Sequence, residues 1–287
     1  MISIVIPSKN EKFLQRTILD ILEKATGEIE IFPVLDGYTI PEEEKVKDSR
    51  VKYILAAPKS YSQKRQAINT VVNKHAQGEY VMSVDAHCMF AKGFDEQLVK
   101  DHFQPNLVQV PRRHRLDAEN WSLQPQCDDR PPIDYEYIMF NPLLVKNEGL
   151  HGFKWDERTL TRQHIPIDDI LTFQGSCWFM TKKWFQERGF MDVKYQGWGQ
   201  EAEEISFETW KNGGRVVVNK NTWYAHLHKG QKYGRMYFLS KEENRKSYEY
   251  SYDLWIRKNK EFFINLIERF MPLPGWPENW KEKIWKL

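Results

Sequence analysis

The first apolar run, Ile2-Ser3-Ile4-Val5-Ile6, is short and β-branched and is closed by Pro7, the pattern of a buried strand. Ser8-Lys9-Asn10-Glu11 then supplies capping side chains, and Phe13, Leu14, Ile18, Ile21 and Leu22 follow at helical spacing until Gly27. Residues 29–35 predict a second strand that stops at Asp36-Gly37, and residues 51–55 a third. Residues 63–75 are amphipathic, with Ala67, Ile68, Val71 and Val72 inward, and Gly78 closes that helix. Residues 80–84 predict a fourth strand running into Asp85. Strands alternating with helices imply an α/β fold with a parallel, doubly wound sheet.

In such sheets ligands bind outside the carboxyl ends of the strands. The polar residues gather at those ends: Ser8, Asn10 and Glu11, then Asp36, then Asp85 and His87. Taken singly, Ser8 or Asn10 reads as a cap. Several strands delivering an acid or amide to one edge reads as a site. Neither G-x-G-x-x-G nor G-x-x-x-x-G-K-[ST] occurs, which disfavours a dinucleotide site or a P-loop. In Asp85-Ala86-His87 the two polar residues are two apart on an extended segment, so both point the same way. A carboxylate with an imidazole suits a borderline divalent ion such as Mn²⁺.

Further along, residues 104–142 are polar and Pro-punctuated and include Arg112-Arg113-His114-Arg115, which reads as a solvated surface. Residues 173–180 predict an apolar strand entered through Gly175, and residues 182–188 a short helix ending at Gly189. Gly197-Trp198-Gly199 precedes a helix opened by Glu201, Glu203 and Glu204 and stopped by Gly213-Gly214. First-turn acids favour the helix dipole, but a bulky ring between glycines suggests more than capping. Residues 215–218 predict another strand. Beyond it Tyr224, His226 and His228 alternate on one face, and His226 is the candidate third ligand beside Asp85 and His87. Residues 229–235 are basic and Gly-rich, which suits a plain loop or a lid over phosphates. Residues 247–266 predict an amphipathic helix, and residues 272–277 an extended arm.

Composition narrows the class. The chain has 287 residues, and Lys+Arg against Asp+Glu is 42 against 40, a net charge of +2, so a general nucleic-acid footprint is disfavoured. No apolar run approaches the ~20 residues of a membrane helix, and no signal peptide leads the chain, so a cytoplasmic protein is expected. The cysteines, Cys88, Cys127 and Cys177, are odd in number and form no C-x-x-C. All 11 Trp lie at or after Trp121, which implies two halves with different duties.

The pattern resembles metal-dependent glycosyltransferases of the GT-A fold: a mostly parallel mixed sheet flanked by helices, in a single catalytic domain. Its first half is similar to the family 2 group, whose strand-Pro-x-x-Asn-Glu opening matches Ile4-Val5-Ile6-Pro7-Ser8-Lys9-Asn10-Glu11. That group's Arg-bearing helix, Ala-x-Gly-x-Tyr and acidic motif match Arg65, Ala76-Gln77-Gly78-Glu79-Tyr80 and Asp85. More closely, the chain is similar to the catalytic domain of polypeptide N-acetylgalactosaminyltransferases. Their Asp-x-His-Cys, Gly-Phe-x-Trp and Trp-Gly-Gly-Glu-Asn-x-Glu-x-Ser-Phe match Asp85-Ala86-His87-Cys88, Gly152-Phe153-Lys154-Trp155 and, in part, Trp198 to Phe207.

The resemblance implies residues 1–260 as the catalytic domain, with a nucleotide and metal half to 105, a sugar and acceptor half to 260, and a C-terminal tail at 261–287. It implies a UDP-sugar donor (UDP-glucose, UDP-galactose or their N-acetyl forms) and Mn²⁺, with Mg²⁺ as the alternative. Asp85, His87 and His226 would hold the metal; Pro7, Ser8, Asn10, Glu11, Asp36 and Arg65 would hold the nucleotide. Trp155, Gly175, Trp198, Gly199, Glu201 and Glu204 would meet the donor sugar or acceptor, with Glu201 and Asp85 catalytic. Lys229, Tyr233 and Arg235 would belong to the lid.

Ala202 stands where related inverting enzymes carry an Asp base, so the reading leans to retention of configuration. In an inverting enzyme Glu201 or Glu203 must supply the base. The lack of a signal anchor, stem and lectin domain points to a bacterial or viral enzyme whose acceptor is open. Two rival classes are a catalytically silent sugar-binding module and a nucleotidyltransferase that makes UDP-sugars. The second usually opens with a Gly-rich loop bearing Arg and Lys, which Pro7-Ser8-Lys9-Asn10 is not.

Overall fold

A computed structural model describes residues 1–59, 63–125, 130–140, 150–197, 199–234 and 239–287. Strand β1 (Ile2–Ser8) lies at the centre of the N-terminal half, parallel to both β2 (Ile29–Asp36) and β4 (Tyr80–Val84), and β3 (Ile54–Ala56) extends the sheet beyond β2. The β-branched run therefore forms the strand expected of it. It continues through Pro7, whose register partner on β2 is Val34.

The sheet is mixed beyond β4. Strand β11 (Cys177–Thr181) runs antiparallel to both β4 and β6 (Leu107–Asp117). Next come β12 (Arg215–His226), parallel to β6, and β10 (Ile167–Asp169), antiparallel to β12. A short strand, β5 (Cys88–Phe90), pairs antiparallel with the end of β12. Helices α1 (Leu14–Lys24) and α2 (Lys64–Lys74) connect the first strands, as their apolar spacing predicted.

Strand β6 corrects the expectation of a solvated surface at 104–142. Val108 and Val110 are buried, and so are Arg113 and His114. Carboxylates some 20 residues downstream neutralise the basic run: Arg112 Nη2 lies 2.7 Å from Asp134 Oδ2, and Arg113 Nη2 2.5 Å from Glu136 Oε1. A buried charge needs such a partner.

Two later elements also differ from expectation. The helix expected at 247–266 is two helices, Lys241–Tyr252 and Lys260–Phe270, joined by a π-helical turn at Asp253–Lys258. Asn259 Nδ2 donates to the Leu254 carbonyl (2.8 Å), a side chain competing with the helix ladder. The arm expected at 272–277 leads into a last helix, Trp280–Trp285, and Leu273, Trp280 and Ile284 pack on the main core. That core takes residues from both halves, Ile4 and Val84 as well as Trp178 and Trp255. Among the described residues no helix is long and apolar enough to cross a membrane.

Candidate active site

A cleft of about 730 Å³ opens at the carboxyl ends of the parallel strands. Its lining includes Pro7, Ser8, Glu11, Asp36, Asp85, His87, Gly175, Glu201, His226 and Lys229, all residues the sequence singled out. Strand pairing explains how distant positions meet. His226 ends β12 and lies opposite Cys88 of β5, while the Leu227 N–H donates to the His87 carbonyl (3.1 Å). Residues 139 apart in the chain are thereby fixed side by side.

At this corner His226 Nε2 is 3.1 Å from His87 Nε2 and 3.5 Å from Asp85 Oδ2. One ligand atom from each of the three residues lies within 4.8 Å of the others. Burial drives the His226 pKa down to about 3, helped by the His87 charge, so the imidazole is neutral and keeps a lone pair for coordination. Burial alone would raise the Asp85 carboxyl, but Lys64 and the two histidines hold it well below the usual range. Two imidazoles and one carboxylate converging on a point fit a borderline divalent cation.

Cations and one further acid surround that corner. Lys64 Nζ donates to Asp85 Oδ1 (3.0 Å) and to the Gly175 carbonyl (2.8 Å). Asp36 accepts from the Gln63 backbone N–H (3.1 Å) and side-chain amide (2.6 Å), and Lys9 Nζ lies 3.2 Å away. Gly37 follows with φ +74°, and a Cβ there would come within 3.0 Å of Pro58 Cα, so the turn that presents Asp36 needs glycine. A Cβ on Gly175 would lie 3.4 Å from Glu201 Cβ and narrow the cleft beside the Glu201 carboxylate.

Several residues assigned to the site lie elsewhere. Arg65 is buried, ion-paired with Glu204, and its guanidinium lies 4.5 Å over the Tyr195 ring. Both Arg65 and Glu204 are thus committed to packing the Glu201–Lys211 helix against α2 instead of lining the cleft. The Gly199 carbonyl accepts from Arg65 Nη2 (3.3 Å) on that same side. Trp155 is 8% exposed, under the Arg158 guanidinium at 4.9 Å, and it too is absent from the lining. Asn10 and Tyr233 line a neighbouring pocket of about 480 Å³, where Tyr233 packs edge-on to Phe13. Trp198 and Arg235 lie outside the described residues.

The structure adds residues to which the sequence assigned no role in the site: Lys9, Gln63, Lys64 and His228 all line the cleft. Lys64 and Arg65 are adjacent cations about 100° apart around the helix, so only one of them can face the cleft. The first-turn position of both on α2 was the available signal.

Glu203 is also turned away from the cleft. Its Oε1 accepts from the Gly152 N–H (3.2 Å), and burial raises its pKa to about 8, with Glu136 and Glu201 adding to the shift. The folded protein therefore keeps a proton that the unfolded chain, with an ordinary Glu near 4.5, has lost at neutral pH. Stability from this group is fully present below about pH 4.5 and is lost as pH rises through about 8, by at most ~1.4 kcal/mol per pH unit. Thermal unfolding across that range should show Glu203→Gln with a flatter stability profile than wild type. Parallel profiles would contradict a neutral Glu203.

Comparisons with known proteins bear on the family and the fold. The family model described as Glycosyl transferase family 2 matches residues 3–189. The chain is similar to "Putative polypeptide N-acetylgalactosaminyltransferase 13" of Drosophila melanogaster, with 26% identity over 79% of this chain and 41% of that protein. It is also similar to "Polypeptide N-acetylgalactosaminyltransferase 4" of Mus musculus, with 30% identity over 66% of this chain and 31% of that protein. Among solved structures, GalNAc-T7 with UDP, GalNAc and Mn²⁺ superimposes with a TM-score of 0.70 at 19% identity, covering 99% of this chain and 53% of that one. The chain spans less than half the length of these curated relatives. The expected architecture, a mixed, mostly parallel α/β sheet of GT-A type, is the one found.

Proposed function

The chain belongs to glycosyl transferase family 2, and from that premise we propose that it transfers a sugar from a UDP-sugar with the aid of Mn²⁺. The observation that carries the reading is the convergence of Asp85, His87 and His226 at a cleft that also holds Lys64, Lys229 and Asp36. The UDP, GalNAc and Mn²⁺ in the similar solved structure support the same donor class and metal.

Asp85, His87 and His226 would hold the metal, and Asp36 with its Gln63 and Lys9 partners would receive the base or ribose. A metal bound there supplies Lewis-acid charge against the departing diphosphate. Lys64 and Lys229 add fixed positive charge on the same side, where negative charge develops as the sugar leaves. Glu201 faces the sugar from the first turn of its helix. No carboxylate follows it, because position 202 is a buried Ala, and Glu203 points into the protein. Glu201 is the one acid of the Glu201–Glu204 run lining the cleft and so the one base that run offers for inversion; Ala202, in the place of the Asp base of related inverting enzymes, favours retention of anomeric configuration.

The test is an NMR assay over UDP-glucose, UDP-galactose and their N-acetyl forms, with Mn²⁺ and with chelator. Turnover of at least one donor, lost on chelation and with the anomeric configuration kept, is expected. No turnover of any donor would favour a silent sugar-binding module, and an inverted product would return the base to Glu201.

A further inference from the structure

Glu11 stands between His87 and Lys229 in the cleft. It lies in the turn after β1, and its side chain is almost wholly buried. One carboxylate oxygen, Oε2, is 3.3 Å from His87 Nδ1, and the other, Oε1, pairs with the Lys229 ammonium. His87 Nδ1 makes no hydrogen bond as it stands, whereas His87 Nε2 faces His226 Nε2 at 3.1 Å.

A neutral imidazole carries one N–H, and the acceptor next to the ring decides which nitrogen keeps it. A carboxylate beside Nδ1 keeps the proton there. Nε2 is then left with its lone pair directed toward Asp85 and His226. The second oxygen has a separate task, since Lys229 lines the same cleft and is held at its edge by Glu11.

We propose that Glu11 is a positioning residue with two outputs: it sets the tautomer of His87 for metal binding, and it holds Lys229 until an anionic donor offers that cation a second partner. This inference rests on reading the cleft as a metal and diphosphate site. When a diphosphate draws Lys229 away, the Glu11 charge is left to His87 alone, and the ring becomes a stronger ligand. UDP and metal then strengthen each other's binding beyond their direct contact, and the coupling is reciprocal.

The experiment measures Mn²⁺ affinity of the full chain by electron paramagnetic resonance of free Mn²⁺, with and without UDP. Glu11→Gln should weaken metal-only binding by about 10–100-fold, and Glu11→Asp should restore part of it. Lys229→Met should bind Mn²⁺ alone at least as tightly as wild type, yet gain several-fold less from UDP. Glu11→Gln binding within twofold of wild type, Glu11→Asp no better than Glu11→Gln, or a full UDP gain in Lys229→Met would each overturn the proposal. If the wild-type chain binds no Mn²⁺, the functional reading falls with it. If the wild-type chain binds and Glu11→Gln is unchanged, only this inference falls.

Discussion

Asp85→Asn is expected to lower UDP-sugar turnover by about a thousandfold, or roughly 4 kcal/mol of lost transition-state stabilisation, with the fold intact. Asparagine keeps the shape of the side chain but removes the one negative charge among the three candidate ligands. It also takes away the carboxylate charge that now lies 3.0 Å from Lys64 Nζ, so that cation weighs more heavily on the metal position. Both changes disfavour a divalent cation. The Asp85 side chain is about a quarter exposed, so its stability cost is small beside the catalytic one. Release of UDP in a coupled assay, with thermal unfolding as the control, decides the matter. Activity kept within tenfold would place the reaction elsewhere.

The largest expected effect on stability is at a residue the sequence reading assigned to the nucleotide. Arg65→Met removes the partner of Glu204 inside the protein, where both side chains are 4% exposed. Breaking a buried pair from one side costs about 3–5 kcal/mol because a charge is left behind. Burial already raises the Glu204 pKa to about 6, against the pull of Arg65. Without Arg65 that carboxyl takes up a proton more readily, which moves the cost to the lower end of the range. A fall in Tm of about 6–10 °C is expected. It should be partly recovered in the Arg65→Met/Glu204→Gln double variant, which removes both charges of the pair. Below the transition, UDP affinity should stay within a few-fold of wild type. A large loss of UDP affinity with Tm unchanged would return Arg65 to the nucleotide site.

Much of the platform was legible because its signals are local. The β-branched run of β1, the alternation into β4 and the two-residue spacing of Asp85 and His87 each lie within a few residues. His226 was reachable as an alternating histidine at a strand end. What was not legible depends on partners far along the chain. The basic run in β6 is buried because Asp134 and Glu136 meet it from a segment that then pairs with Gly152–Lys154. Lys64 and Arg65 are equivalent in sequence, and only the packing of Tyr195 and Glu204 beside α2 decides which one is sequestered. Trp155 follows a motif glycine, yet its ring serves Arg158 and Tyr137. The tryptophan asymmetry thus reflects the packing of the second half: Trp178 and Trp255 are fully buried, and Trp184, Trp210 and Trp280 nearly so.

The corner formed by Asp85, His87 and His226 should make nucleotide binding depend on metal. Calorimetric titration of UDP into chelator-treated chain, repeated with Mn²⁺ restored, tests it most directly. UDP is expected to bind at least about tenfold more tightly with Mn²⁺, a gain of ~1.4 kcal/mol or more, and Asp85→Asn to show no such gain. UDP binding that is equally tight with and without Mn²⁺ in the wild-type chain would contradict it.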